Sequence, residues 1–254
     1  MTGAASGTSD PWRLRVHESL PSTSDLLLTL AAAGEPEGLA VLAKRQTAGR
    51  GRQGRNWESE SGNLHLSVLL RPRTPLRLLP QWSLLAGVAL VDALRAFLPD
   101  AERPRLRLKW PNDVLLDGAK CAGILLDAGT QGEEGWLVIG CGANLTHAPA
   151  VASRATAHLA AAGIAAPPVE LVAERLLDAL GRWRRVQLLD GFAAIRAAWL
   201  ERGPERGTLL TLRPQPGTGQ LPLGGRFEGL SEDGGLLLAS GGRVHAVLAG
   251  EILG

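Results

Sequence analysis

Residues 64–70 alternate, with Leu64, Leu66, Val68 and Leu70 on one side and His65 and Ser67 on the other. A period of two predicts a half-buried strand. A helical period governs 22–33, where Leu26, Leu27 and Leu30 make an apolar stripe and Ser22 or Ser24 can cap the start. Residues 39–43 form a short apolar run that predicts another strand. Asp92 and Arg95 are the only charges in 81–98, which predicts a long buried helix stopped at Pro99. Arg105, Arg107 and Lys109 then alternate with Leu106, Leu108 and Trp110. Asp117-Gly118 separates two apolar runs, 114–116 and 119–126, and predicts a two-residue hairpin. A strand follows over 136–145, with Gly140 and Gly142 inside it. Helices follow over 168–187 and 190–202, with Pro167 and Pro168 at the start of the first. From about 207 the texture changes to short β-type runs (208–213, 226–230, 235–239, 243–248) between glycine-rich turns. These predict a small all-β barrel of about 50 residues after a linker near 203–207. The chain reads as α+β in two parts, 1–205 and 206–254.

Composition narrows the function classes. The chain has 254 residues, 45% apolar and 20% charged, with a formal charge of +2. That suits a soluble globular protein and gives no global field for DNA or anionic lipid, so any basic site must be local. Met1–Pro11 lacks the basic start and apolar core of a signal peptide, and no apolar run reaches the roughly 20 residues of a membrane span. The expected compartment is the cytosol. Cys121 and Cys141 sit in apolar runs without metal-ligand spacing and read as buried free thiols. Of 27 basic residues only Lys44, Lys109 and Lys120 are lysines. Arginine cannot imitate a compact ammonium on a thin stem, so a lysine surviving in so arginine-rich a chain points to a need for its shape.

Three constellations carry candidate chemistry. Lys44 to Arg55 holds five cations, no acid and the three glycines Gly49, Gly51 and Gly54. This reads either as a flexible loop closing over an anionic ligand, or as a solvated basic loop or nucleic-acid contact. The nucleotide P-loop pattern is absent. The second is Lys109-Trp110-Pro111-Asn112-Asp113 with Lys120 and Gly123. With Asp117-Gly118 as the turn, Leu116 faces Ala119, Leu115 faces Lys120 and Asp113 faces Ala122, so Asp113 and Lys120 share a face. That is a structural ion pair or a polar site. The third, Gly140-Cys141-Gly142-Ala143-Asn144, marks close approach of a ligand, a bulge or tight packing. His65 and His147 read as satisfied structural histidines.

Together the three resemble the biotin–protein ligase family. GRGRQGR is similar to its glycine–arginine loop, KWPND followed by Lys120 and AGIL is similar to its core motif, and GCGANL to its GxGxN strand. Pro21-Ser22-Thr23-Ser24 resembles its biotin-site motif, with Pro21 in place of an acid and Ser24 in place of asparagine. Gln53 replaces a common basic residue, and Gly250-Glu251-Ile252 resembles the closing GEI of its small barrel. The resemblance runs from about 19 to 146. It implies a mixed β-sheet with helices packed on it, like the catalytic domain of class II aminoacyl-tRNA synthetases. It also implies biotin and ATP as substrates with Mg²⁺, and a biotin carboxyl carrier domain of an acyl-CoA carboxylase as acceptor. By matching position, biotin contacts fall to Ser22, Thr23, Gln46, Gly49, Arg50, Gly51, Arg52, Lys120 and Gly123. Nucleotide contacts fall to Arg50, Arg52, Trp57, Lys109, Trp110, Asn112, Lys120 and Asn144. Lys120, Arg52 and Asp113 take the catalytic roles, with no protein-held metal. Twenty-one residues before Ser22 are too few for a helix-turn-helix domain, which implies the form without DNA binding. The rivals are a lipoate- or octanoate-protein ligase and, in another class, a nucleic-acid-binding module. No tyrosine and three phenylalanines argue against the latter.

Overall fold

A computed structural model describes residues 12–72, 75, 78–131, 134–152, 154–213 and 222–253, so Met1–Pro11 lie outside the described residues. The predicted hairpin forms, with β5 (Asp113–Leu116) and β6 (Ala119–Gln131) meeting through φ angles of 51° at Asp117 and 83° at Gly118. Two consecutive left-handed residues match the right-handed strand twist, and Asp-Gly tolerates them. β4 (Leu106–Lys109) extends the hairpin on one side. On the other follow β7 (Glu134–Ala143), β3 (Leu64–Leu70), β2 (Leu39–Gln46) and β1 (Arg13–Leu20). The order is β1-β2-β3-β7-β6-β5-β4. Only β1–β2 is parallel, so the sheet is mixed, as expected.

Helices cover both faces. α1 (Thr23–Ala32), capped by the Ser22 side chain, packs Leu27 and Ala31 on Leu39, Val41, Leu69 and Val138. α2 (Pro80–Arg95) covers the opposite face with α3 (Val169–Asp190) and α4 (Phe192–Arg202) outside it. α2 is buried around most of its circumference, as two charges in its length require. One of those charges joins the three helices. The Asp92 carboxylate accepts from Arg182 (2.9 Å) and Trp183 Nε1 (2.8 Å) on α3 and from Arg202 Nη2 (2.9 Å) on α4. Asp92→Ala leaves those donors unmatched and should lower stability by about 2 kcal/mol. A denaturant midpoint within roughly 0.5 kcal/mol of wild type would show the cluster to be idle.

Two expectations are corrected, and one strand was not expected at all. β3 is buried on both sides, because α1 covers the face that carries His65 and Ser67. The hairpin register slips at Cys121, so Val114 faces Ala122 and Asp113 faces Gly123 rather than Ala122. β1 had no sequence signal. It is an edge strand whose Arg13, Arg15 and Glu18 are exposed, which breaks the apolar alternation.

The C-terminal part is an all-antiparallel sheet in the order β11-β10-β9-β8-β12, built from β8 (Leu209–Arg213), β9 (Leu223–Leu230), β10 (Leu236–Ser240), β11 (Arg243–Val247) and β12 (Glu251–Leu253). Its described pairings run from β11 to β12 without joining those two ends. Both cysteines are buried free thiols, and burial pushes each up to about 12. No described helix is long and apolar enough to cross a membrane.

Candidate active site

A cavity open on one side lies between α1, the β3–β7–β6 floor, the β5–β6 hairpin and the glycine–arginine flap. Its floor begins where α1 begins. The N-cap exposes the first hydroxyls of the helix, and Thr23 Oγ1 lies 2.7 Å from Ser67 Oγ, which lies 3.0 Å from Ser24 Oγ. Gln46 Oε1 accepts from the Thr23 N–H at 2.8 Å, which fixes its amide, and Nε2 donates to Ser59 at 2.9 Å. Ser22, Thr23, Ser24 and Ser67 are all buried. A buried row of hydroxyls and amides is tolerated because each finds a partner. It suits a neutral ligand group that both donates and accepts.

Glycines continue the floor. A Cβ on Gly140 would sit 2.7 Å from Ser24 Oγ, and one on Gly142 would sit 2.6 Å from Trp57 Cε2. On Gly123 it would lie 3.2 Å from Lys120 Nζ. All three have ordinary strand backbone, so the small residue is needed for room, not for φ. Of the readings open for Gly140 and Gly142, tight packing is the one their neighbours show, with Ser24 of α1 over the first and the Trp57 indole over the second. The Trp57 indole is the approaching group in this structure, and its Nε1 is buried without a partner among the described residues.

The far wall is charged. Lys120 Nζ and Asp113 Oδ1 make a tight ion pair, with side chains 12% and 17% exposed. Burial pushes the Lys120 ammonium below its ordinary value, and the Asp113 carboxylate opposes that shift. The Lys120 backbone is held by residues 155–157, through Lys120 N–H to Ala155 O and Ala157 N–H to Lys120 O, both at 2.9 Å. Asn112 donates to Ile124 O at 2.6 Å, which leaves its Oδ1 to accept from Arg52 at 3.0 Å. Trp110 is tied to the C-terminal sheet by Nε1 donating to Gly234 O at 3.1 Å.

The flap is a small hairpin bridged at Arg50 and Asn56, with Trp57 N–H donating to Gly49 O at 2.9 Å. Its three arginines point to different places. Arg50 Nε lies 2.7 Å from Asp25 Oδ1, and its Nη2 donates to Asp127 Oδ2 at 2.9 Å. Arg52 reaches Asn112, and burial lowers its pKa. Arg55 donates two bonds to Glu251 of the C-terminal sheet, at 2.8 and 2.6 Å. That hydrogen-bonded arginine holds the Glu251 carboxyl down to about 2.

Of the residues assigned a biotin, nucleotide or catalytic role from sequence, all but Gly49 and Asn144 line the cavity. Gly49 lies under the flap, where a side chain would strike Ser59 Oγ at 2.6 Å. Asn144 sits just past β7 and donates to Ala157 O at 3.1 Å, while its Oδ1 is buried without a partner among the described residues. Sequence reasoning missed Ser67, Arg154 and Glu251. Ser67 carried a signal, being a hydroxyl inside an apolar run. Arg154 lines the cavity with a buried Nε that has no partner among the described residues, and its loop position gave no hint. Nε2 of His65 lies 3.3 Å from Glu60 O, its Nδ1 has no partner among the described residues, and burial lowers its pKa.

The sequence profile of the biotin/lipoate A/B protein ligase family matches residues 16–144. A biotin–acetyl-CoA-carboxylase ligase of Paracoccus denitrificans is 39% identical, covering 84% of this chain and 88% of the relative. One of Mycobacterium tuberculosis is 34% identical, covering 100% of this chain and 92% of the relative. The solved biotin protein ligase of Aquifex aeolicus in complex with biotin and ATP superposes with a TM-score of 0.77 at 26% identity, covering 94% of this chain and 97% of that one.

Proposed function

The chain belongs to the biotin/lipoate A/B protein ligase family, and from that premise we propose that this biotin ligase works in two halves within the one cavity. In the first, a biotin carboxylate oxygen attacks the α-phosphorus of ATP. The bond to the β-phosphate oxygen breaks, and pyrophosphate leaves with the electron pair. In the second, an acceptor lysine amine attacks the acyl carbon of biotinyl-5′-AMP, the bond to the phosphate oxygen breaks, and AMP leaves. The acceptor is a lysine of a biotin carboxyl carrier domain of an acyl-CoA carboxylase, and the compartment is the cytoplasm.

The observation that carries this reading is the polarity gradient of the cavity. Neutral hydroxyls and the Gln46 amide line one end, matching the donors and acceptors of a ureido ring. The Lys120 ammonium and the Arg52 guanidinium stand at the other, where a carboxylate must meet a phosphate. Two anions brought together repel, and fixed cations in a dry site offset that repulsion without reorganising. Asp113 lies against the same ammonium and is placed to take a proton from the incoming amine. Arg154 adds a further cation to the lining.

Mg²⁺ travelling with a triphosphate usually takes one or two protein carboxylates and otherwise phosphate and water oxygens. Asp113 and Glu251 are the cavity-lining carboxylates among the described residues, and both already face cations. The ion's ligands would therefore come chiefly from ATP.

The deciding experiment is mass spectrometry of the protein incubated with biotin and MgATP. Bound biotinyl-adenylate is expected, and lipoate or octanoate should not replace biotin in driving ATP–pyrophosphate exchange. Exchange driven by lipoate alone would reject the reading.

A pH prediction follows from Lys120. Adenylation needs its ammonium protonated, so exchange should fall on the alkaline side below the ordinary lysine value of 10.5, since burial lowers the folded pKa. Asp113→Asn removes the group that raises it and should move that limb to still lower pH. An unmoved limb in the pH–rate profile would separate Asp113 from the Lys120 charge.

A further inference from the structure

Arg50 and Arg52 stand two residues apart on the flap and both line the cavity, but among the described residues only Arg50 is ion-paired, while Asp113 and Glu251 act on Arg52 from a distance. Arg50 sits between two carboxylates, Asp25 at 2.7 Å and Asp127 at 2.9 Å. Arg52 makes no ion pair among the described residues and rests on the neutral Asn112 amide. An anion approaching Arg50 would meet two negative charges beside the positive one. Arg50 is therefore a poor receptor for a carboxylate or phosphate, and Arg52 is the better one. The two acids come from elements that build the floor and wall. Asp25 lies in the first turn of α1, just after Thr23, and Asp127 lies on β6, beyond Gly123 and Leu125. Arg50 in turn bridges Asn56, the neighbour of Trp57, whose indole covers Gly142 and approaches Gly123.

We infer that Asp25 and Asp127 form a two-carboxylate clasp that holds the flap shut through Arg50. They are positioning residues that set how long the acyl-adenylate stays bound, and Arg52 is the flap cation that touches the ligand. The clasp rests on the biotin-ligase reading. Its action runs from the acids through Arg50 and the flap hairpin to the Trp57 lid. The ion pairs are partly exposed, with side chains 36%, 48% and 25% exposed for Arg50, Asp25 and Asp127, so the clasp can open and is sensitive to salt. Exposed pairs contribute little singly, and two on one guanidinium should shift opening by roughly tenfold.

The test loads the full-length protein with biotin and MgATP and follows release of labelled biotinyl-AMP. Asp25→Asn with Asp127→Asn is expected to release it about tenfold faster than wild type. Raising salt should speed release from wild type and leave the double variant nearly unaffected, which a merely structural role would not produce. Arg50→Asp with Asp127→Arg should recover part of the retention lost in Arg50→Asp alone. Asp127→Asn by itself carries the same test if the double variant folds poorly. Wild-type release in the Asn variants, or no recovery in the charge swap, overturns the clasp. A wild-type protein that forms no biotinyl-AMP at all instead overturns the ligase reading, and the clasp with it.

Discussion

Lys120→Ala should lose biotin-dependent ATP–pyrophosphate exchange by roughly a thousandfold, the scale of removing a charge donor aimed at a developing anion. The side chain is 12% exposed and shares the cavity with Arg52, so no solvent cation replaces it. The fold should survive, because the strand around residue 120 is held by main-chain bonds to residues 155–157 that the substitution leaves in place. Asp113 would be left without its partner and can hydrate through the open side. Lys120→Arg should rescue little, because a planar guanidinium needs more width than Gly123 and Trp57 leave beside the ammonium. Exchange assays beside a melting curve check both parts. Near-wild-type exchange in Lys120→Ala would remove this residue from the chemistry.

Gly142→Val is expected to abolish usable biotin affinity, weakening it by at least about a hundredfold, while the sheet remains intact. Valine favours strand backbone, and Gly142 has no left-handed φ to protect. What it lacks is space, because even a Cβ would stand 2.6 Å from the Trp57 ring. A valine must displace the indole from the floor or fill the gap between floor and lid. Calorimetric titration with biotin reads the loss, and thermal melting reads the retained fold. Unchanged affinity would show that the ligand does not pass over this strand.

Local features were legible in the sequence. The Asp117-Gly118 turn, the Ser22 cap and the buried character of α2 follow from residues close together in the chain, and the structure contains each of them. Errors arose where distance in sequence hid the cause. His65 and Ser67 looked like a solvent face because polar residues usually seek water, but here helix and flap give them a buried cavity instead. The extra residue at Cys121 shifts the ladder without any glycine or proline to announce it. The three-residue β12 is too short to show a period. The cavity gathers most of the chosen site residues because motif spacing was informative. The partners of the flap arginines were not legible, because Asp127 and Glu251 reach Arg50 and Arg55 only through the topology of the sheets.

The bond between Arg55 and Glu251 joins residues 196 positions apart. At roughly 5–20 residues per second, a ribosome needs about ten to forty seconds to travel from one to the other. During that interval an emerging chain can hold its floor hydroxyls, its hairpin and its Lys120, while this tether of the flap has no counterpart yet made. Newborn chains should therefore acquire most of the pocket, though not the wall made by Glu251 and Ile252, before they acquire the full means of keeping a reactive intermediate inside it.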